Sequence, residues 1–321
     1  VLERKKQTIT HDSFYNLGHY LKPNDAIFYN ATRVEERRVS LVRQTTDKIF
    51  ECIFLKKIKR DFSLSKNNAR EEWQVLMRNI RRVRDGEIFY AQSDNAQTFI
   101  FHRNDQELFL SSTNPLDAAA FARIGEMPIP PYMQRAASAD EARTYQNFFR
   151  EQMHEHEKIE GSAASPTAAL HFTPALYKSL QKQRIAFHPV CLDIGYGTFA
   201  PLTEENFAHA TLHSEHYFIP NESALAFTQA ARKIVLGTTA LRALLSWQRL
   251  GAIEGETQLF IRPENSVTEI DGLITNFHLP QSSLLLLTAA FAGIDLVARA
   301  YQAAIDEGYR FFSYGDAMLI L

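Results

Sequence analysis

Asp271-Gly-Leu-Ile-Thr-Asn-Phe-His-Leu-Pro-Gln-Ser-Ser-Leu-Leu-Leu-Leu-Thr-Ala-Ala-Phe-Ala-Gly293 is the stretch on which the fold turns. Residues 272–275 read as a buried strand and residues 282–292 as a mostly apolar helix. Pro280 is tolerated in a helix's first turn, where its missing N–H has no intrahelical partner to lose. Ser282 and Ser283 can cap the free N–H groups there. Thr275, Asn276 and His278 fall between strand and helix, at the strand's carboxyl end. In open α/β sheets ligands bind in that crevice, and a helix N-terminus aimed into it favours carboxylates and phosphates. A plain βα loop whose His and Asn satisfy local backbone groups would use the same residue types, and only the neighbouring stretches weigh against it.

The 321 residues have room for one large domain or two ordinary ones. With 45% hydrophobic and 22% charged residues, the composition is that of a soluble globular chain. Cys52 and Cys191 sit in strand-like apolar surroundings without metal-ligand spacing, which points to a reducing compartment rather than a disulfide scaffold. No secretory signal opens the chain, and the apolar run 284–287 is too short to span a bilayer, so a cytoplasmic location without membrane contact is expected. The net charge of −2 hides an asymmetry. Residues 1–84 hold 19 Lys+Arg against 10 Asp+Glu, a balance of +9, and residues 85–321 hold the other 16 against 27, a balance of −11. The basic residues cluster around Arg33, Arg37 and Arg38, around Lys56, Lys57, Lys59 and Arg60, and around Arg78, Arg81, Arg82 and Arg84. Such clusters fit a polyanion footprint, and fit equally well solvated strand edges kept basic against aggregation.

Residues 26–30, A-I-F-Y-N, form a short apolar strand ending in Asn30-Ala-Thr32-Arg33, whose polar side chains suit a phosphate, a carboxylate or an ordinary turn. Short strand-like segments follow at 49–55, 73–77, 87–91, 98–102 and 107–110, a spacing that suggests a small β-barrel or sandwich. Residues 59–70 lack apolar periodicity and read as a surface loop, and the prolines of residues 125–132 mark a boundary. A polar helix is expected over 140–157, with Tyr145, Phe148 and Phe149 on one side. His154 and His156 within it are two residues apart and point to different helix faces, so they read as a solvated face and not as a metal pair. The resulting partition is an α/β main domain, residues 1–44 and 125–321, with an inserted all-β, barrel-like domain at 45–124.

From Gly161 strands and helices alternate. Residues 161–173, with Ser162, Thr167, His171 and Thr173, are small and hydroxyl-rich, suited to close approach by a ligand, and Thr173-Pro174 caps and opens a helix through Lys182. A strand over 185–194 runs into Gly195-Tyr196-Gly197-Thr198, a Gly-x-Gly that lacks the third glycine of the dinucleotide fingerprint. Residues 211–217 alternate and place His213, Glu215 and Tyr217 on one face. A helix over 220–231 and a strand over 234–236 precede Gly237-Thr238-Thr239, which opens a helix carrying Arg242, where two hydroxyls suit an anion or simple capping. A strand over 257–261 and a helix over 295–306 follow, and Arg310 with Asp316 reads as a catalytic or an architectural pair.

Together these stretches resemble the S-adenosylmethionine:tRNA ribosyltransferase-isomerases of queuosine biosynthesis. The carriers are G-S-A-A-S-P-T-A-A-L-H-F-T, L-D-I-G-Y-G-T-F-A-P-L, H-S-E-H-Y-F-I-P, L-G-T-T-A-L-R-A-L, G-L-I-T-N-F-H-L-P-Q-S-S-L-L-L-L and Y-R-F-F-S-Y-G-D-A-M-L-I, the last two being the most specific. The likeness runs from about Leu2 to the end. It departs at Asp193, where the family has histidine, at Ser165 and Ala169, where it has alanine and glycine, and at Arg262-Pro-Glu264-Asn, where it has Pro-Gly. The family's R-D-x-S-R-L segment would lie upstream of Val1.

The resemblance implies the same α/β domain with a β-rich insert. It also implies transfer and isomerisation of the ribosyl moiety of S-adenosylmethionine (AdoMet) onto 7-aminomethyl-7-deazaguanine at the wobble position of a tRNA with a GUN anticodon, releasing adenine and methionine. AdoMet is then a substrate, no metal or prosthetic cofactor is expected, and the chain is expected to be a monomer. Such chemistry needs a base for the proton next to the sulfonium, stabilisation of departing adenine and a nucleobase held outside its stack. His278, His171 and His213 are the candidate proton carriers, and Glu215 and Asp316 the groups that balance the cation or orient a histidine. Substrate contacts are expected from Arg33, Ser162, Thr167, Thr173, Gly195, Tyr196, Gly197, Thr198, Thr238, Thr239, Arg242, Thr275, Asn276 and Arg310. His278 is expected to be neutral, next to a positive helix end. Two other readings stay open: an AdoMet-dependent transferase acting on a small nucleoside, and a catalytically impaired tRNA-binding relative.

Overall fold

A computed structural model describes residues 1–58, 71–104, 107–133, 135, 137–138, 140–153, 161–195 and 202–321. The chain divides into two compact units, Val1–Arg33 with Gln146–Leu321, and Val34–Tyr145. Among the described residues the first unit is built on a nine-stranded mixed sheet. Its order in space is Glu254–Leu259, Thr211–Phe218, Ala186–Leu192, Ala26–Asn30, Lys233–Leu236, Gly272–Asn276, Ala317–Ile320, Leu2–Glu3 and Thr8–Ile9. The four strands from Ala186–Leu192 to Gly272–Asn276 run parallel, and antiparallel partners flank them on both sides.

Every residue of Ala26–Asn30 and of Gly272–Asn276 is buried, as parallel strands covered on both faces must be. Side chains alternate between the two faces. Phe28 packs with Phe227, Leu241 and Leu244, from the helices Asn221–Gln229 and Thr238–Leu250. Ile27 and Tyr29 pack with Phe149, Phe172 and Leu180 on the other side. Fully burying such side chains contributes about 1.5–3 kcal/mol each. At Gly272 a Cβ would stand 2.6 Å from the Ile234 side chain of the paired strand, so a larger residue there would require that side chain to shift.

The expected strand and helix of residues 271–293 are present as Gly272–Asn276 and Ser283–Ala292. Ser282 is the N-cap, its Oγ accepting from the Leu285 N–H at 3.3 Å. Pro280 is not in the helix's first turn but in the turn before it, where Gln281 takes a φ of 59°. At Gly293, with φ 88°, the chain bends by 115° into the helix Ile294–Asp306. Among the described residues no single helix is long and apolar enough to cross a membrane.

The second unit is a closed antiparallel barrel. Its strands are Arg38–Arg43, Ile49–Ile58, Glu71–Met77, Glu107–Ser112, Asp94–Asn104 and Ile88–Ala91, and the last pairs back onto the first. Among the described residues this pairing of first and last strand closes the sheet on itself. Phe54, Trp73, Phe89, Phe99, Phe101 and Phe121 fill it. Strand Arg38–Arg43 is masked in the sequence by the basic cluster around it, although Val39 and Leu41 alternate inward. With it the compact unit spans Val34–Tyr145, against the expected 45–124.

The helix expected over 140–157 is broken into Glu141–Thr144 and a 3-10 turn at Arg150–Met153. Between them Asn147 turns its side chain onto backbone: Oδ1 accepts from the Phe149 N–H, and Nδ2 donates to the carbonyls of Asn30 and Thr32. Such local bonds compete with the helical ladder. His154, His156 and the expected loop 59–70 lie outside the described residues.

Candidate functional site

The four parallel strands all end on one edge of the sheet, at Asn30, Leu192, Leu236 and Asn276. Later strands were added on either side of Ala26–Asn30, which makes this edge a topological switch point and the place where a ligand is expected. Loop connections are joined there by short contacts. Gly237, with φ 90°, opens the helix Thr238–Leu250, and a Cβ on it would lie 3.7 Å from Ala168 in the turn Thr167–His171. Thr167 donates to Asn276 Oδ1 at 3.1 Å, and Asn276 Nδ2 lies 3.2 Å from His171 Nε2. With Oδ1 taken as the acceptor, the amide donates to the imidazole, which is therefore neutral with its proton on Nδ1. Burial pushes the His171 pKa down, in agreement.

On the other side of the crevice His213, Glu215, Arg242 and Gly195 come together. Glu215 is buried, and burial alone would raise its pKa. Arg242, His213 and the Gly195 N–H more than offset that and hold it below the usual carboxylate range. Its Oε2 accepts from Arg242 at 2.5 Å, and its Oε1 accepts from the Gly195 N–H at 2.9 Å and from His213 Nε2 at 2.9 Å. An ionised carboxylate only accepts, so His213 donates from Nε2, and in its neutral form the lone pair lies on Nδ1. Nδ1 has no hydrogen-bond partner among the described residues, and the imidazole is 31% exposed. Arg242 also donates to the carbonyls of His213 and Thr257, at 3.0 and 3.3 Å. Its guanidinium anchors Glu215, while its Nε is buried without a hydrogen-bond partner. Thr238, Thr239 and Ser283 line the small gap between this cluster and the helix Ser283–Ala292. Thr239 Oγ1 is buried without a partner.

His278 stands apart from both groups. Its Nε2 is 2.8 Å from Thr275 Oγ1, and its backbone N–H donates to Tyr301 OH at 2.7 Å. Burial pushes its pKa down to about 4, so it is neutral near pH 7 as expected, with desolvation and not the helix end as the cause. Three expected substrate contacts have partners within the chain. Ser162 is fully buried, bonded to Thr32 at 2.7 Å and accepting from the Ile194 N–H at 2.8 Å, which ties the loop after Gly161 to the strand ends. Thr173 caps the helix Pro174–Lys182 by accepting from the Leu176 N–H. Arg310 points to solvent, and Asp316 accepts from its backbone N–H at 2.7 Å and pairs with its guanidinium at 3.5 Å. Arg33 is exposed just past Thr32. Tyr196, Gly197 and Thr198 lie outside the described residues.

Asp193, the departure from the resembled pattern, has a partner that the sequence does not reveal. Its Oδ2 is 3.2 Å from His216 Nδ1, and this hydrogen bond raises the His216 pKa. His216 lies on the opposite strand face from His213 and Glu215. The acid therefore braces the approach to Gly195 without entering the His213 cluster.

A family model described as queuosine biosynthesis protein matches residues 1–320. The chain is 38% identical to the S-adenosylmethionine:tRNA ribosyltransferase-isomerase of Carboxydothermus hydrogenoformans, over 100% of this chain and 91% of that protein. It is 36% identical to the protein of the same name from Heliobacterium modesticaldum, over 100% and 92%. Among solved structures it is similar to the S-adenosylmethionine tRNA ribosyltransferase of Thermotoga maritima, with 28% identity, a TM-score of 0.51, and 100% and 90% of the two chains covered.

Proposed function

The chain belongs to the queuosine biosynthesis family, and from that membership we propose the reaction and the division of labour at its site. It is an AdoMet-dependent tRNA ribosyltransferase-isomerase, a transferase of the queuosine pathway. The ribosyl moiety of AdoMet is transferred to 7-aminomethyl-7-deazaguanine at the wobble position of a tRNA with a GUN anticodon and isomerised there, and adenine and methionine leave. The match over residues 1–320 is the observation that carries this reading. AdoMet serves as substrate, without metal or prosthetic group, and one copy of the chain suffices.

The donor is placed in the crevice where the loops after Asn30, Leu192, Leu236 and Asn276 meet. The N-terminus of the helix Thr238–Leu250, with the unpartnered Thr239 hydroxyl, suits the methionine carboxylate. His213 is the general base for the proton next to the sulfonium, because Glu215 holds its Nε2 and leaves Nδ1 without a partner among the described residues. Glu215 and Arg242 are positioning residues. His278 is given a structural role, with its Nε2 bonded to Thr275 and its backbone N–H to Tyr301.

Adenine release is the test. Wild-type protein with AdoMet should release adenine when the acceptor base is carried in tRNA and not when it is supplied as the free base. Release with the free base alone would make the protein a small-nucleoside transferase, and binding of tRNA without release would make it an impaired relative.

RNA contact is proposed for the barrel loop carrying Arg78, Arg81, Arg82 and Arg84, all exposed, while the buried Val83 anchors it. Removing one Lys or Arg that neutralises a phosphate flattens the slope of log K against log salt by about 0.7–0.9. Neutralising Arg81, Arg82 and Arg84 together should therefore weaken tRNA binding and reduce that slope by about 2–3. An unchanged slope would place the footprint elsewhere.

A further inference from the structure

Asp193 and His216 form a second charged pair, on the opposite strand face from His213, and the roles above leave it unused. Asp193 Oδ2 lies 3.2 Å from His216 Nδ1, and the Asp193 N–H donates to the His216 carbonyl at 2.9 Å, so side chains and backbone close the same rung of the ladder. Leu192 and Tyr217 make the rung before it. Just past it the Gly195 N–H donates to Glu215 Oε1 at 2.9 Å. The other Asp193 oxygen accepts from the Cys191 thiol at 3.5 Å, and burial keeps that thiol protonated. The edge strand Glu254–Leu259 brings two more acids to His216. Glu254 Oε1 is 3.7 Å from its Nε2, and Glu256 is its ladder partner, held by Ser214 at 2.6 Å. The charged groups acting on this imidazole are thus the carboxylates of Asp193, Glu256 and Glu254. A histidine at 193, as in the resembled pattern, would bring no carboxylate to it.

Carboxylates on both ring nitrogens favour the imidazolium. The hydrogen bond to Asp193 raises the His216 pKa, burial opposes it, and the charges of Asp193, Glu256 and Glu254 add to the rise. With the folded pKa raised, the pair's contribution is complete below the unfolded imidazole pKa and is lost as pH rises through the folded one. We propose that His216, as an imidazolium paired with Asp193, is a positioning residue for the His213 base. Gly195 lies two residues from Asp193, and Glu215 lies next to His216. Both ends of the Gly195–Glu215 bond are therefore carried by this one pair, and Glu215 in turn holds His213 Nε2. When His216 loses its proton, Asp193, Glu254 and Glu256 are left around a neutral ring, and their mutual repulsion loosens the rung. The proposal rests on the reading of His213 as the base. A base fails on the acid side, where it is protonated, and the positioning imidazolium fails on the alkaline side. Adenine release should follow a bell-shaped profile in pH.

Two readouts across pH, on wild type, Asp193→Asn and His216→Gln, test this. One is the amide proton shift of Gly195 by NMR, which a hydrogen bond to a carboxylate moves downfield. The other is single-turnover adenine release with the acceptor base in tRNA. In wild type the Gly195 proton should move upfield and release should fall over the same alkaline titration. Asp193→Asn should move both changes to lower pH, because the imidazolium loses its charged acceptor. His216→Gln should keep the Gly195 proton upfield throughout and abolish the alkaline limb. It should also slow release at the wild-type optimum by about 3- to 10-fold, the effect of one hydrogen bond. Melting temperature on the same samples checks folding, and if His216→Gln does not fold, Asp193→Asn decides alone. A purely structural pair would lower the melting temperature and leave the Gly195 titration and the rate profile as in wild type, which would overturn the proposal. If Gly195 follows His216 but all three proteins share one rate profile, the pair has no part in the reaction and the proposal falls. His213→Ala separates the two failures: slow release from it then fails only this proposal, and near-normal release fails the base reading as well. No release from wild type at any pH would fail the functional reading and leave His216 no reaction to serve.

Discussion

His213→Ala should lower single-turnover adenine release by about 10²–10⁴-fold, the range expected for loss of a general base, while AdoMet affinity and melting temperature change little. The imidazole is 31% exposed, so truncating it opens no buried cavity. Glu215 keeps Arg242 and the Gly195 N–H as donors, so the buried carboxylate is not stranded. Glu215→Gln should slow release as well, because an amide no longer requires the proton on Nε2 and no longer fixes which nitrogen is free. His278→Ala is the contrasting variant. His278 is held by Thr275 and Tyr301 and stays neutral, so its loss should appear first in stability. Near-normal release from well-folded His213→Ala would remove it from the mechanism and move the base to His171.

The stretch 271–293 discloses its strand, loop and helix because its signals are local: an apolar run, a proline and a serine cap within a few residues. Gly195, Thr238, Thr239, Thr275 and Asn276 can be singled out for the same reason, since small and hydroxyl residues at strand ends are visible along the chain. What a side chain touches across the fold is not visible there. Arg242 reads along the chain as a substrate contact, and only the sheet register, which sets Glu215 opposite Thr257, discloses that it also anchors a buried acid. Thr173 carries a capping signature and a functional expectation together, and the cap is its structural role. Strand Arg38–Arg43 is obscured because its outward arginines dominate a short alternating pattern, and that displaces the expected domain boundary.

Arg242→Met should destabilise the protein by about 3–5 kcal/mol, the usual penalty for removing one partner of a buried pair and leaving the other charge uncompensated. Both side chains are nearly inaccessible, so water cannot take over from the guanidinium. The loss should depend on pH with a definite sign. In wild type the Glu215 pKa is depressed, so the pair's contribution is present above the unfolded carboxylate pKa and is lost as pH falls through the folded one. In Arg242→Met desolvation dominates and raises the Glu215 pKa, so the carboxyl takes up a proton on folding and the deficit shrinks on acidification. Arg242→Met/Glu215→Gln removes the stranded charge altogether and should recover most of the lost stability, because a buried ion pair replaced as a unit is often near neutral. Recovered stability should not restore adenine release, since nothing then holds the His213 tautomer. Denaturant unfolding of the three proteins at neutral and mildly acidic pH measures this. A loss below about 1 kcal/mol in the single variant, or no recovery in the double, would show that Glu215 is not held by Arg242 in the way the geometry requires.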